Sequence, residues 1–295
     1  MKTPVFTGSC TALITPFTES GVDEARMRKL LDFQRENGTS AVVLAGTTGE
    51  NATLDLREYE RLVEQSVRHV GGSMKLIAGV GGNNTAACLS KARFAQSAGA
   101  DAVLMCPPYY NKTTQAGLLR HFLTVADAVD IPLILYNVPS RTVLGILPET
   151  YVELAKHPNI NGVKEASGDF SLFARITAEC GDDLNLWCGN DDQTVPMMAM
   201  GAQGVISVAS NVVPAVVAKL CALCRAGDFA AARALSAEYE EFFRLLFVET
   251  NPIPVKAAMS LLDLDSGLLR LPLVDISAKN QELLKQNMIK IGLLD

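Results

Sequence analysis

Short stretches of this sequence place residues suited to carbonyl chemistry immediately after apolar runs. Lys164 and Glu165 stand in "INGVKEASGD", residues 160–169, and Thr47, Thr48 and Glu50 in "AGTTGEN". Tyr109 and Tyr110 follow two prolines in "PPYYN", Tyr136, Asn137 and Arg141 lie in "YNVPSR", and Asp191 and Asp192 in "GNDDQ". An amine wrapped in apolar neighbours loses the solvation that favours its ammonium form, and the free amine attacks carbonyl carbon. That is the requirement for Schiff-base catalysis. A tyrosine hydroxyl can pass protons during imine formation, and an arginine with backbone N–H groups can hold a carboxylate.

Each residue also has a plainer reading. Thr47 and Thr48 between Gly46 and Gly49 suit a turn that ends a strand. Tyr109 and Tyr110 suit an interface, Arg141 an exposed loop, and Lys164 a side chain that reaches solvent from a strand end. What favours chemistry is that one architecture would bring all of them to one rim.

That architecture is visible in the alternation of the chain. "SCTALITPF", "AVVLAG", "KLIAGVG", "AVLMCPP", "PLILYNVP", "INGVKEAS", "LNLWCGN" and "GVISVAS" are apolar, β-rich runs. Amphipathic stretches separate them, such as "DLREYERLVEQSVRHVGG", where Tyr59, Leu62, Val63, Val67 and Val70 share a face and Asp55 with Glu58 resembles a capping box. Asp23 opens another such stretch, carrying Met27, Leu30 and Leu31. Near-continuous apolar strands alternating with helices indicate a buried parallel sheet, and eight units indicate a (β/α)8 TIM barrel of the α/β class. Its active site lies at the C-terminal ends of the strands, where the polar residues above fall. Beyond residue 225 the strand pattern stops, so the expected division is a catalytic barrel over 1–225 and a small C-terminal helical domain over 226–295.

Composition narrows the function. The chain has 295 residues, 48% hydrophobic and 20% charged, with a net charge of -6 and no block of like charge, which argues against nucleic acid or an anionic membrane as partner. No apolar run approaches the roughly 20 residues of a membrane span, and a strand begins near Met1, so a cytoplasmic location is expected. The cysteines Cys10, Cys88, Cys106, Cys180, Cys188, Cys221 and Cys224 are scattered through apolar segments and read as core thiols. The CxxC at Cys221 and Cys224 has helical spacing and no second pair, and His69, His121 and His157 are isolated on helical stretches, so no metal site is expected. Barrels that bind phosphorylated sugars commonly hold the phosphate after strands seven and eight. Here Asp191 and Asp192 occupy the first of those loops, so a carboxylate substrate fits better.

Taken together, "GTTGE" (46–50), "PPYYN" (107–111), "YNVPSRT" (136–142), "GVKEASGD" (162–169), "GVISV" (204–208) and "FVETNPIPVK" (247–256) make the chain resemble the dihydrodipicolinate synthase family. This family belongs to the pyruvate-dependent class I aldolases, with the N-acetylneuraminate lyases. The resemblance covers nearly the whole chain, and "NVPSRT" is its most specific part. It implies that Lys164 forms an imine with pyruvate and that the Thr47 and Thr48 region binds the pyruvate carboxylate. By the same resemblance Tyr136 and Thr47 relay protons with Tyr110 of a neighbouring subunit, and Arg141 anchors the carboxylate of aspartate semialdehyde. Gly189 and the backbone of Ile206 would line the pyruvate pocket. The imine serves as electron sink, so no metal or diffusible cofactor is implied, and the expected assembly is a homotetramer built from tight dimers.

One departure from the family pattern is informative. Members inhibited by lysine bind it near the dimer interface, using histidines in the helix after "GTTGE" and a glutamate in the "GxN" helix. The matching positions are Leu56, Tyr59 and Ala87, whereas Asn83 and Tyr109 remain, with Asn51 a third candidate effector contact. Without the glutamate an incoming ammonium lacks its opposite charge, a loss of about 1.5–3 kcal/mol, so weak or absent inhibition by lysine is expected. Two other functions stay open at this stage. One is a different pyruvate aldolase, such as a neuraminate lyase or a 2-keto-3-deoxy-sugar acid aldolase, against which Arg141 argues. The other is a silent keto-acid sensor, which would not need both a nucleophile and its relay.

Overall fold

The computed structural model describes residues 2–295. The eight apolar runs form eight strands: β1 Gly8–Ala12, β2 Ala41–Leu44, β3 Lys75–Gly79, β4 Ala102–Met105, β5 Leu133–Asn137, β6 Ile160–Glu165, β7 Asn185–Cys188 and β8 Gly204–Ser207. All are parallel, each pairs with the next, and β8 returns to β1, closing the TIM barrel. The strands are buried on both sides, which explains why they read as continuous apolar runs rather than alternating ones.

The two-residue period of a strand still sorts the side chains. One set packs inside the barrel, including Cys10, Val43, Ile77, Leu104, Ile134, Trp187 and Ile206. Their neighbours Leu133, Leu135, Val163, Leu186 and Val205 pack outward against the helices. Phe6 stacks on Trp187 with centroids 5.0 Å apart, and the indole N–H donates to the Phe6 carbonyl at 3.2 Å, so the N-terminal segment fills part of the interior. In register, Tyr136 pairs with Lys164 and Lys164 with Trp187. Lys164 is therefore on the inward face.

The helices start where their caps predict. Asp23 accepts from the Arg26 N–H at the head of helix Glu24–Glu36, and Asp55 with Glu58 completes a capping box on helix Leu56–Val70. After helix Pro214–Arg225, three further helices follow, Phe229–Leu245, Ile253–Leu261 and Ala278–Lys290. Phe242, Val255, Met259, Leu284 and Met288 from these helices join the apolar layer that covers the outside of the strands. No helix is long and apolar enough to cross a membrane among the described residues. The seven cysteines are unpaired, six of them buried and Cys106 half-buried, with Cys221 and Cys224 inside helix Pro214–Arg225.

Candidate active site

Lys164 ends up 5% exposed, with its Nζ 4.4 Å from the centroid of the Tyr136 ring. That proximity follows from register, since the two residues are paired neighbours on β5 and β6. Gly162, two residues earlier on the same face, leaves the space that the Trp187 ring fills, because a Cβ there would come within 2.6 Å of it. The charge of Lys164 favours the ionised forms of Cys10 and Asp191, but burial outweighs it and pushes both acids up.

Lys164 opens into a cavity of about 560 Å³ bounded by Thr48, Tyr136, Arg141, Gly189, Asn190, Val208 and Asn251. Gly189 has no room for a side chain, since a Cβ would sit 2.6 Å from that of Ala166, and so it presents bare backbone to the cavity. A second cavity of about 300 Å³ adjoins the first, sharing Tyr136, Val138, Arg141, Thr250 and Asn251, and reaches Thr47, Asn51 and Tyr109. Thr48, buried, thus stands with Lys164, while the exposed Thr47 stands on the adjoining side of Tyr136. The Ile206 side chain is fully buried in the barrel interior, and Val208 two residues on forms the wall. Tyr110 lines neither cavity: it is 93% exposed and held at φ +67°. No hydrogen bond joins Tyr136 to Thr47 or to Tyr110 within the described residues of this single chain.

The loop that carries Thr47 and Thr48 is unusually constrained. Ala45 and Glu50, at its two ends, both have left-handed backbone, at φ +48° and +52°, a conformation that costs a residue with a Cβ roughly 1–2 kcal/mol. Gly49 has backbone of Ala45 and Leu13 within 3.1 Å of where a Cβ would be, and its carbonyl accepts from Thr15 Oγ1 at 2.7 Å. The Thr48 hydroxyl accepts from Asn251 Nδ2 at 2.9 Å, and the Asn251 carbonyl accepts from Arg141 Nη2 at 3.0 Å. Asn251 therefore ties a residue beside Lys164 to the arginine at the mouth. Nothing in the sequence reading gave it a role, although "FVETNPIPVK" contains it.

Two of the acidic candidates prove to be scaffold. Glu165 alternates with Lys164 and so points outward, where its carboxylate accepts from Asn137 Nδ2 at 2.9 Å, the Ser167 N–H at 2.7 Å and Tyr151 Oη at 3.2 Å. Burial raises it above the ordinary glutamate range, and the same burial, with Glu165 beside it, raises the Tyr151 phenol well above its own. Asp191, fully buried, accepts from the Ser207 hydroxyl and from the N–H groups of Val208 and Ala209 at 3.0 Å each. Those are the donors after β8 that a phosphate would use, so the protein's own carboxylate already fills that place. Asp192 is exposed.

The candidate effector residues also come together. Asn51, Asn83, Ala87 and Tyr109 wall a cleft of about 180 Å³, which Lys91 enters from helix Thr85–Ala98. Lys91 Nζ donates to Asn51 Oδ1 at 2.7 Å and lies 4.8 Å over the Tyr59 ring, and burial lowers its hold on a proton. Nothing in the sequence pattern marks Lys91 for this place.

The model of the dihydrodipicolinate synthetase family matches residues 5–291. This chain belongs to that family. It is 48% identical to the 4-hydroxy-tetrahydrodipicolinate synthase of a Thermoanaerobacter species, over 99% of this chain and 98% of that one. The crystal structure of dihydrodipicolinate synthase from Aquifex aeolicus superposes with a TM-score of 0.96 at 43% identity, covering 98% of this chain and 99% of that one. A pyruvate complex of the chloride-inhibited synthase from Acinetobacter baumannii gives 0.96 at 36% identity, covering 98% and 100%.

Proposed function

We propose that this protein is a 4-hydroxy-tetrahydrodipicolinate synthase, a lyase of lysine biosynthesis that condenses pyruvate with L-aspartate 4-semialdehyde. The observation that carries the reading is one cavity that holds a buried, inward-facing lysine beside a tyrosine, with Thr48 on one wall and Arg141 at the mouth. Family membership and the full-length likeness to named synthases support it.

In this reading the free amine of Lys164 adds to the C2 carbonyl of pyruvate, and the carbinolamine loses water to give a protonated imine. Loss of a methyl proton yields the enamine, whose carbon bonds to the aldehyde carbon of the second substrate. The amine of that substrate then attacks the imine carbon, closing the ring and releasing Lys164. Protons move through Tyr136, with Thr47 and a neighbouring subunit's Tyr110 completing the relay. Thr48, the bare backbone of Gly189 and the β8 segment after Ile206 hold the pyruvate end. The imine is the electron sink, so the site works without metal or diffusible cofactor.

A tyrosine that leaves its own site and stands 93% exposed supports an assembly in which it completes another copy's site. We assign the protein to the cytoplasm as a homotetramer of tight dimers. Asn51, Asn83 and Tyr109 border an effector cleft that Lys91 closes to lysine. The test of the reaction is turnover with pyruvate and aspartate semialdehyde set against cleavage of N-acetylneuraminate and of 2-keto-3-deoxy-sugar acids. Activity confined to the first pair is expected, and preferred cleavage of a sugar acid would overturn the assignment.

A further inference from the structure

A buried charge cluster stands behind the "GTTGE" loop, outside the cavity into which Lys164 opens. Lys256, on helix Ile253–Leu261, and Glu50, at the end of the "GTTGE" loop, form an ion pair at 2.7 Å with both side chains at 1% exposure or less. Lys256 also donates to the Leu268 carbonyl at 2.7 Å, and the second oxygen of Glu50 accepts from the Arg270 N–H at 3.1 Å. The Phe17 ring meets two cations, with Lys256 Nζ 4.4 Å and the Arg270 guanidinium 4.2 Å from its centroid. Arg270 in turn grips Glu58 of the capping box. Buried ion pairs are seldom a route to stability, because the desolvation of two charges offsets their attraction, so the retention of this one calls for another reason.

Position supplies that reason. Glu50 is the left-handed residue that ends the loop presenting Thr47 and Thr48, and its carboxylate is pinned by donors from the C-terminal helical region alone. Lys256 stands five residues after Asn251, which lies just ahead of the helix and reaches Thr48 with its side chain and Arg141 with its backbone. We infer that the Glu50–Lys256 pair is a positioning device that locks the "GTTGE" loop against the segment 250–256 and so sets both carboxylate-binding ends of the cavity. This rests on the reading of Thr48 and Arg141 as substrate contacts. The C-terminal helices, which supply no reacting atom, thereby become part of the active-site frame.

The test compares Glu50→Gln, Lys256→Met and the double variant Glu50→Gln/Lys256→Met, reading melting temperature, pyruvate KM, kcat and borohydride-trapped adduct on Lys164. Each single change strands a buried charge or a buried donor and lowers the melting temperature. The double change leaves no unpaired charge and recovers most of it. A positioning role predicts that the double variant nevertheless keeps a pyruvate KM raised by about tenfold with kcat changed less, while Glu50→Gln alone, which still offers Lys256 an acceptor, lies between. A double variant with both stability and pyruvate KM of the wild type overturns the inference. A second measurement needs no variant. Pyruvate imine formation on the wild type should slow amide exchange in 45–51 and in 250–256 together, and protection of 45–51 alone also overturns it. If the wild type forms no adduct on Lys164, it is the proposed function that fails, not the coupling.

Discussion

Removing the ammonium of Lys91 should strengthen the binding of lysine to this protein. In the cleft beside the "GTTGE" loop, Lys91 already takes the Asn51 amide oxygen and the face of the Tyr59 ring, both of which a visiting ammonium would use. Within a cleft of about 180 Å³ the two ammonium groups would lie ~4–5 Å apart. At an effective dielectric constant of about 20 the repulsion between them is about 3–4 kcal/mol, a factor of several hundred in affinity. The absence of a carboxylate at Ala87 removes a charged hydrogen bond worth about 1.5–3 kcal/mol more. The wild type should therefore show no inhibition at micromolar lysine. Lys91→Ala should bind lysine at least about tenfold more tightly, and Lys91→Ala/Ala87→Glu more tightly still. Calorimetric titration and inhibition of turnover both read this. Micromolar inhibition of the wild type, or an affinity unchanged in Lys91→Ala, would refute the electrostatic reasoning.

Further predictions follow from the same geometry. Arg141→Ala should raise the KM for aspartate semialdehyde by about 10- to 100-fold, the weight of one charged hydrogen bond, while the Lys164–pyruvate adduct still forms; loss of the adduct would show that Arg141 serves the keto acid instead. Tyr110→Phe mixed with Lys164→Ala should regain partial activity in hybrid dimers, and no recovery would place Tyr110 in its own subunit's site. His121 is buried with Nδ1 on Thr85 at 2.8 Å and Nε2 without a partner, and burial lowers its pKa. The unfolded chain then binds the proton more readily, so stability to urea should fall as pH drops through about 6.5, and His121→Asn should flatten that part of the profile. An unchanged slope in the variant would assign the pH dependence elsewhere.

The barrel was legible because its strands are buried on both faces and its helices on one, so the two periods stay distinct along the chain. Lys164 was legible for a related reason, as a charge at the end of an apolar run has few structural excuses. Which way a residue faces was harder to read. Lys164 and Glu165 are adjacent letters, but one enters the cavity and the other anchors helix Pro148–Ala155 through Tyr151. Asp191 announced a site that repels phosphate, and it does more, by occupying the donors a phosphate would need. Asn251, Lys256 and Lys91 were not legible as parts of the site, because each acts across a long sequence separation. Asn251 and Thr48 are 203 positions apart, and Lys256 and Glu50 are 206. "FVETNPIPVK", which runs into helix Ile253–Leu261, entered the sequence reading only as a mark of the family resemblance.

If Lys164 is the nucleophile, incubation with pyruvate and borohydride followed by peptide mass mapping should find one reduced pyruvate adduct on the peptide carrying Lys164. That adduct should be absent from a folded Lys164→Ala variant that has lost most of its activity. An adduct on another lysine, or full turnover in a protein that traps none, would contradict that role.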